Sequence, residues 1–327
     1  EGDSVLLVDA NFGHNNGYNH YYQTDEIDRR LKLALQDYFG EGEARTPAAS
    51  AVLERLVDVG LVAEDGLTDA MLEDLATRLS WAQRSVELPA GRYETIMPPS
   101  TVADMMIYLS WTMGGRGAQE GRTALSAPGG GTRVGEKLTS LPLTLYSDPH
   151  SPGLQCTPFV AVSGSSERAS VFDNGMPIER VDWIRDGVIN ALAYPRAAAT
   201  EFDAPVAVGA DNLLMTGGTA SLADMVARTE RGLLLTTLWY IRTVDPSVLL
   251  LTGLTRDGVY LVEEGQVTAA VNNFRFNQSL VELLEGVEML GTPTRVAAGE
   301  NSSVGVPIVV PALKVRAFNL SSVSEAI

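Results

Sequence analysis

One stretch constrains the fold more than any other. Residues 93–115 read YETIMPPSTVADMMIYLSWTMGG, with Met105, Met106, Ile107, Tyr108, Leu109, Trp111 and Met113 in near succession, almost without polar interruption. Pro98 and Pro99 stop the preceding segment and pre-set a first helical turn. Ser100 is placed to cap it, and Asp104 lies in the early turns, where a helix N-terminus favours an anion. Gly114 and Gly115 end it. A surface helix repeats apolar residues at i, i+3, i+4 and i+7 and keeps a polar face. This one has no polar face, so the fold must cover the helix from every side.

The rest of the chain supplies the cover. It has 327 residues, 45% of them hydrophobic, enough for one large or two ordinary domains. Residues 1–87 read as an α/β segment. A strand (SVLLVDA) and a polar loop (NFGHNNGYNHYYQ) precede a helix capped by Thr24. After the linker-like GEGEARTPAAS come two more helical stretches, the second, TDAMLEDLATRLSWAQRSV, capped by Thr68. From about residue 88 the texture becomes β-rich. ELPAGRYETIMP predicts a strand, and PLTLYSDP, PFVAVSG and VPIVVPALKVRAFNL predict more. VDWIRDGVINALAYPR sets Asp-Gly between two apolar runs, the strongest short hairpin signal. SVLLLTGLTRDGVYLVEEGQVTAAVNNFRF predicts a three-strand meander with two turns. SLADMVARTERGLLL, capped by Ser221, and NQSLVELLEGVEML predict helices. Strands and helices do not alternate as in a doubly wound sheet. The expectation for residues 88–327 is an α+β domain, with an antiparallel, barrel-like sheet around a buried central helix.

Charge narrows the partners. With 24 Lys and Arg against 41 Asp and Glu, the formal charge is −17, which disfavours nucleic acid and anionic membrane surfaces. The single cysteine, Cys156, allows no internal disulfide and fits a reducing compartment, so a cytoplasmic location is expected. The opening EGDSVLLVDANFG does not read as a signal peptide and lacks Met, so the chain is expected to begin downstream of the natural start. No apolar run reaches the roughly 18 residues of a membrane span.

Residue patterns alone show no complete catalytic centre. PGGGTRVGEK has P-loop spacing from Gly130 to Gly135, but Glu136 stands where phosphate requires Lys, and Lys137 comes one position late. His14 and His20, with Asp9 and Asp25 near, match no standard zinc spacing, and His150 in SDPHSPG reads as a turn residue. Cys156 has no histidine close in sequence to serve as base and reads as an apolar filler. Neither G-x-S-x-G, S-x-x-K nor H-E-x-x-H occurs.

A series of segments in consistent order carries a resemblance. It comprises ELPAGRYETIMPPSTVADMMIYL, GTRVGEKLTSLPLTLYSDPHSPG, FDNGMPIERVDWIRDGVINALAYPR, LLTGLTRDGVYLVEEGQVTAAVNNFRF, and VPIVVPALKV with FNLSSVS after it. Together they resemble the TldD/PmbA, or modulator-of-gyrase, family, in its PmbA (TldE) branch of actinobacterial type. Residues 1–87 fit the family's N-terminal domain poorly, as a partial or divergent segment. The resemblance implies a peptidase system. Its TldD-type members carry H-E-x-x-x-H on this helix and a cysteine near the C-terminus, which bind zinc. Here those helix positions fall on Ile107, Tyr108 and Thr112, and the cysteine position falls in GENSSVG, residues 299–305, which has none. The implied protein is a zinc-less, non-catalytic subunit of a metallopeptidase system acting on peptides or unfolded chains. Zinc is then expected only in a TldD-type partner. Partner or peptide contacts are expected at Trp239, Tyr240 and Arg242 in LWYIR, and at Arg256 and Tyr260 in TRDGVYL. Two other readings stay open: a stand-alone module binding extended peptides, and an independent hydrolase using Cys156 or a serine.

Overall fold

A computed structural model describes residues 77–78, 80–256, 258–296 and 308–325. The expectations for residues 1–76, including His14, His20, Asp9 and Asp25, and for the segment 299–305, lie outside the described residues.

Pro99–Thr112 forms the central helix α1, with Pro98 at its N-cap. Proline at the first helical position costs nothing, because that N–H is unsatisfied in any helix. Ser100 lies inside the first turn and provides no side-chain cap. Thr101 through Leu109 are buried without interruption, whereas Trp111 at the C-terminal end is 41% exposed. The expected burial on every face therefore holds for the helix body and ends one turn before Gly114.

Two sheets enclose this helix. The larger has ten strands. Its order is β1 (Ser85–Val86), β11 (Gln266–Val271), β10 (Val259–Glu263), β7 (Arg231–Leu235), β2 (Gly91–Met97), β16 (Leu313–Val323), β12 (Phe274–Ser279), β9 (Leu250–Thr255) and β8 (Leu238–Asp245), with β13 (Val287–Leu290) also on β16. The smaller runs β14 (Thr294–Val296), β15 (Ile308–Val310), β6 (Leu213–Met215), β3 (Leu145–Ser147), β4 (Val181–Arg185) and β5 (Val188–Ile189). Among the strands of the described residues, β1–β11, β2–β7 and β6–β15 pair in parallel and the rest antiparallel. The α1 helix touches β2 of the large sheet and β14 and β15 of the small one. Thr101 Oγ1 donates to Leu235 O on β7 at 3.1 Å, which fixes the helix start to the large sheet.

The α+β class is as expected, but the barrel-like closure is not. Among the described residues both sheets are open, ending at β1 and β8 and at β14 and β5. A buried helix explains this. Two sheets that each bury one face on α1 complete a layered core without rolling up.

The expected meander also fails at its first turn. Strands β9 and β10 are not neighbours; β9 pairs with β8 and β12, and β10 with β7 and β11. The other predicted turns are real. The β4–β5 hairpin turns at Asp186 and Gly187, with φ of 50° and 79°. The β10–β11 hairpin turns at Glu264 and Gly265, with φ of 50° and 78°. The remaining helices are short: α2 (Gly115–Gln119), α3 (Arg196–Glu201), α4 (Leu222–Ala227) and α5 (Leu280–Glu285). In α4 the Ser221 cap holds, with a capping box to Asp224, but the expected helix stops there and RGLLL becomes β7. PFVAVSG contributes only an isolated bridge, Phe159 to Pro177.

Candidate functional site

The three helix positions implicated by sequence come together where α1 passes between the sheets. Ile107 is 3% exposed and apolar. Tyr108 is buried, and its hydroxyl donates to Ile241 O on β8 at 2.7 Å. The same carbonyl accepts from Arg242 Nη1 at 2.6 Å. Tyr108 also meets Trp111 edge to face, with ring centroids 5.0 Å apart. Thr112 Oγ1 donates back to Tyr108 O at 2.9 Å. Ile offers no lone pair, and the two hydroxyls are committed to main-chain carbonyls. These positions do not fit a zinc ion, which requires N, S or carboxylate O donors free to point at it. Among the described residues no group of three or more His, Cys, Asp or Glu side chains converges.

The five expected contact residues divide. Trp239, Tyr240, Arg242 and Arg256 sit at the β8 end of the large sheet, where β8 is an edge strand. The Arg242 guanidinium lies 4.2 Å from the Tyr240 ring centroid, and Arg256 lies 5.6 Å from that of Trp239. Tyr240 is 56% exposed and adopts φ of 53°, in the left-handed region. Tyr260 does not join them. It is buried on β10, six strands away in the sheet order, against Trp81 with ring centroids 5.1 Å apart. It presents no surface to a partner.

The other sequence candidates are peripheral. Gly130 and Gly135 lie in an open loop with φ of 114° and 93°, and Glu136 pairs with Arg133 at 2.7 Å. His150 N–H donates to Asp148 Oδ1 in an exposed turn. Cys156 is half-buried, and loss of solvent pushes its thiol above the ordinary value, with the Asp211 and Asp148 charges adding to that. A raised thiol is a poorer source of thiolate.

Sequence reasoning missed a pocket of about 290 Å³ beside the C-terminal end of α1. Its walls include Ile107, Trp111, Phe159 and Trp183, and Arg168 and Asp211 also line it. An arm, residues 157–178, forms one side. It folds on itself through Val160 N to Met176 O and Ile178 N to Pro158 O. Ion pairs pin it at two points: Glu167 to Arg122 at 2.7 Å, and the buried Asp173 to Arg196 at 2.7 Å. The pocket draws on segments 107–113, 147, 159–183, 193 and 208–213, so no short motif could have revealed it.

Fold and site together define an α+β domain of the TldE and modulator-of-gyrase kind, and solved structures show the same architecture. TldE from Thermococcus kodakarensis is similar with a TM-score of 0.62 at 19% identity, over 77% of this chain and 55% of that one. A protein described as a modulator of DNA gyrase from Bacteroides thetaiotaomicron gives 0.61 at 18%, over 80% and 54%. Another so described, from Thermotoga maritima, gives 0.60 at 17%, over 78% and 56%. The chain thus spans about half the length of the structures it matches. A comparison with curated proteins gives no match. Residues 90–322 match the model of the PmbA/TldA metallopeptidase C-terminal domain, and the chain belongs to that family.

Proposed function

We propose that this chain is a zinc-less, non-catalytic subunit of a TldD/PmbA-type metallopeptidase system, acting in the cytoplasm on peptides or unfolded chains. The carrying observation is the identity and bonding of Ile107, Tyr108 and Thr112. The positions that resemblance assigns to metal chemistry are spent on packing and on hydrogen bonds to Ile241 O and Tyr108 O. Burying unpartnered imidazoles or a carboxylate there would cost several kcal/mol, so a subunit relieved of catalysis gains by replacing them. Hydrolysis then falls to a TldD-type partner that carries the zinc. Likeness to TldE from Thermococcus kodakarensis supports a subunit role. No helix among the described residues is long and apolar enough to cross a membrane.

The test is reconstitution. The purified chain alone should cleave no peptide and retain no stoichiometric zinc. Mixed with the TldD-type protein of the same cell, it should form a complex whose peptide hydrolysis exceeds that of the partner alone. Failure to associate at micromolar concentration would overturn the subunit reading. A second reading, a stand-alone binder of extended peptides, draws on the β8 edge, where two aromatic–arginine pairs flank an open strand. Peptide binding without any partner would favour it.

A further inference from the structure

The pocket beside α1 is put to no use by the subunit reading, and its chemistry is specific. Its interior is apolar at Ile107, Trp111, Phe159 and Trp183. Two opposite charges, Arg168 and Asp211, line the same space. They are close enough that the Asp211 charge raises the Arg168 guanidinium, against the larger lowering from lost solvent, although the residue as a whole is exposed. Yet among the described residues the two form no ion pair. The guanidinium makes one hydrogen bond among them, a long 3.5 Å contact from Nη1 to Ser110 O. A guanidinium has five N–H donors, so most of this one is uncommitted. The Asp211 carboxylate accepts no hydrogen bond among the described residues and is exposed. Trp183 adds a third group. It is only 5% exposed, and its indole N–H has no acceptor among the described residues. That nitrogen is not shut off from solvent, so it is available to donate to an occupant of the pocket that this ring lines.

We propose that this pocket binds a free α-amino acid with a large apolar side chain, held as its zwitterion. The side chain fills the space between Trp111, Phe159 and Trp183. The carboxylate takes the Arg168 guanidinium, in the planar geometry arginine offers, and the Trp183 N–H. The ammonium takes Asp211. A neutral apolar ligand would leave both charges unanswered, and a simple monocarboxylate would leave Asp211 repelling it. The volume, about 290 Å³, sits at the small end of ligand sites, which suits one such residue. The binding stands apart from the peptidase reading. If that reading also holds, the ligand is an end product of peptide hydrolysis, and the pocket reports its accumulation.

The experiment titrates the intact chain with L-phenylalanine, monitored by calorimetry and by tryptophan emission. We expect saturable one-to-one binding with a Kd of about 1 mM or tighter, the range open to a ligand of this size. N-acetyl-L-phenylalanine and L-phenylalanine amide should each bind at least about tenfold more weakly, since each removes one charge. Arg168→Gln should lose affinity for phenylalanine by a similar factor while leaving the amide unchanged. Asp211→Asn should weaken phenylalanine by a similar factor while binding the N-acetyl compound no more weakly, since that ligand has no ammonium to lose. Both side chains are exposed, and matched melting curves confirm that the variants fold. The proposal is overturned by absence of saturation at about 50 mM, far above the expected scale. It is overturned equally if the N-acetyl acid binds the unaltered chain as well as phenylalanine, or if Asp211→Asn tightens phenylalanine binding, because the site then takes monocarboxylates. Neither result bears on partner association, which is measured separately.

Discussion

At the scale of single residues, the central helix shows how a fold satisfies a polar atom inside an apolar core. Tyr108 keeps a polar atom in the core, and Ile241 O accepts from it. Since Arg242 also donates to that carbonyl, Tyr108→Phe leaves the acceptor satisfied and should cost about 1 kcal/mol, the low end for a lost buried hydrogen bond. Urea unfolding of the two proteins measures it. Met105 is fully buried, so Met105→Ala should cost about 2–5 kcal/mol by cavity formation, read in the same way. Burial of the helix body was legible from composition alone, because an apolar run of that length has nowhere else to go. The burial of Tyr260 was not. Strand β10 is covered on both faces: Val259 and Leu261 point into the main core, while Tyr260 and Val262 join a second cluster with Met225 beneath α4 and Trp81. Nothing local in VYLVE distinguishes a tyrosine packed in that second layer from one at a surface.

Single elements were legible wherever backbone chemistry is local. Asp-Gly and Glu-Gly reported the β4–β5 and β10–β11 turns because both positions require positive φ. Gly187 makes a sharp test. A Cβ there would lie 2.4 Å from Thr139 O at φ of 79°, so Gly187→Ala should destabilise by about 2 kcal/mol or more. A lowered melting temperature with unchanged far-ultraviolet dichroism at room temperature would be the expected signature; an unchanged midpoint would show that the loop yields. Ser221→Ala removes one half of the α4 capping box and should cost about 1 kcal/mol. The same local logic misled at Arg256 and Gly258. The turn signal is present, with Gly258 at φ of 118° and Thr236 Oγ1 donating to its carbonyl. The chain nevertheless crosses over at this point instead of forming a hairpin, because β9 finds its partners in β8 and β12. Pairing is decided by the whole sheet, and a two-residue signal carries no information about it.

At the scale of the whole molecule, the β8 edge and the α1 pocket are separate surfaces with separate expectations. If the edge meets the zinc-bearing partner, Tyr240→Ala or Trp239→Ala should weaken that complex about thirtyfold, or about 2 kcal/mol, the scale of a true anchor. Sedimentation or calorimetry with the TldD-type protein provides the measure, and a loss below about threefold would remove the edge from the interface. Resemblance of whole segments made the family legible, since it persists in order over residues 90–322. The pocket was illegible for the opposite reason. Arg168, Trp183 and Asp211 belong to an arm, a strand and a loop that only the folded chain brings to one place.

The pairing of β2 with β16 has a consequence in time. These neighbours near the middle of the large sheet lie more than 200 residues apart in the chain, Tyr93 opposite Phe318 and Thr95 opposite Val315. A ribosome delivers β2 more than 200 residues before β16, so the sheet waits, with its centre unfilled, until β16 emerges. Long-range closure of this kind is slow, and the exposed flanks of β2 are open to wrong pairing in the interval. A nascent chain arrested at residue 312 should therefore remain protease-sensitive and chaperone-bound, while one arrested with residue 325 clear of the exit tunnel should fold.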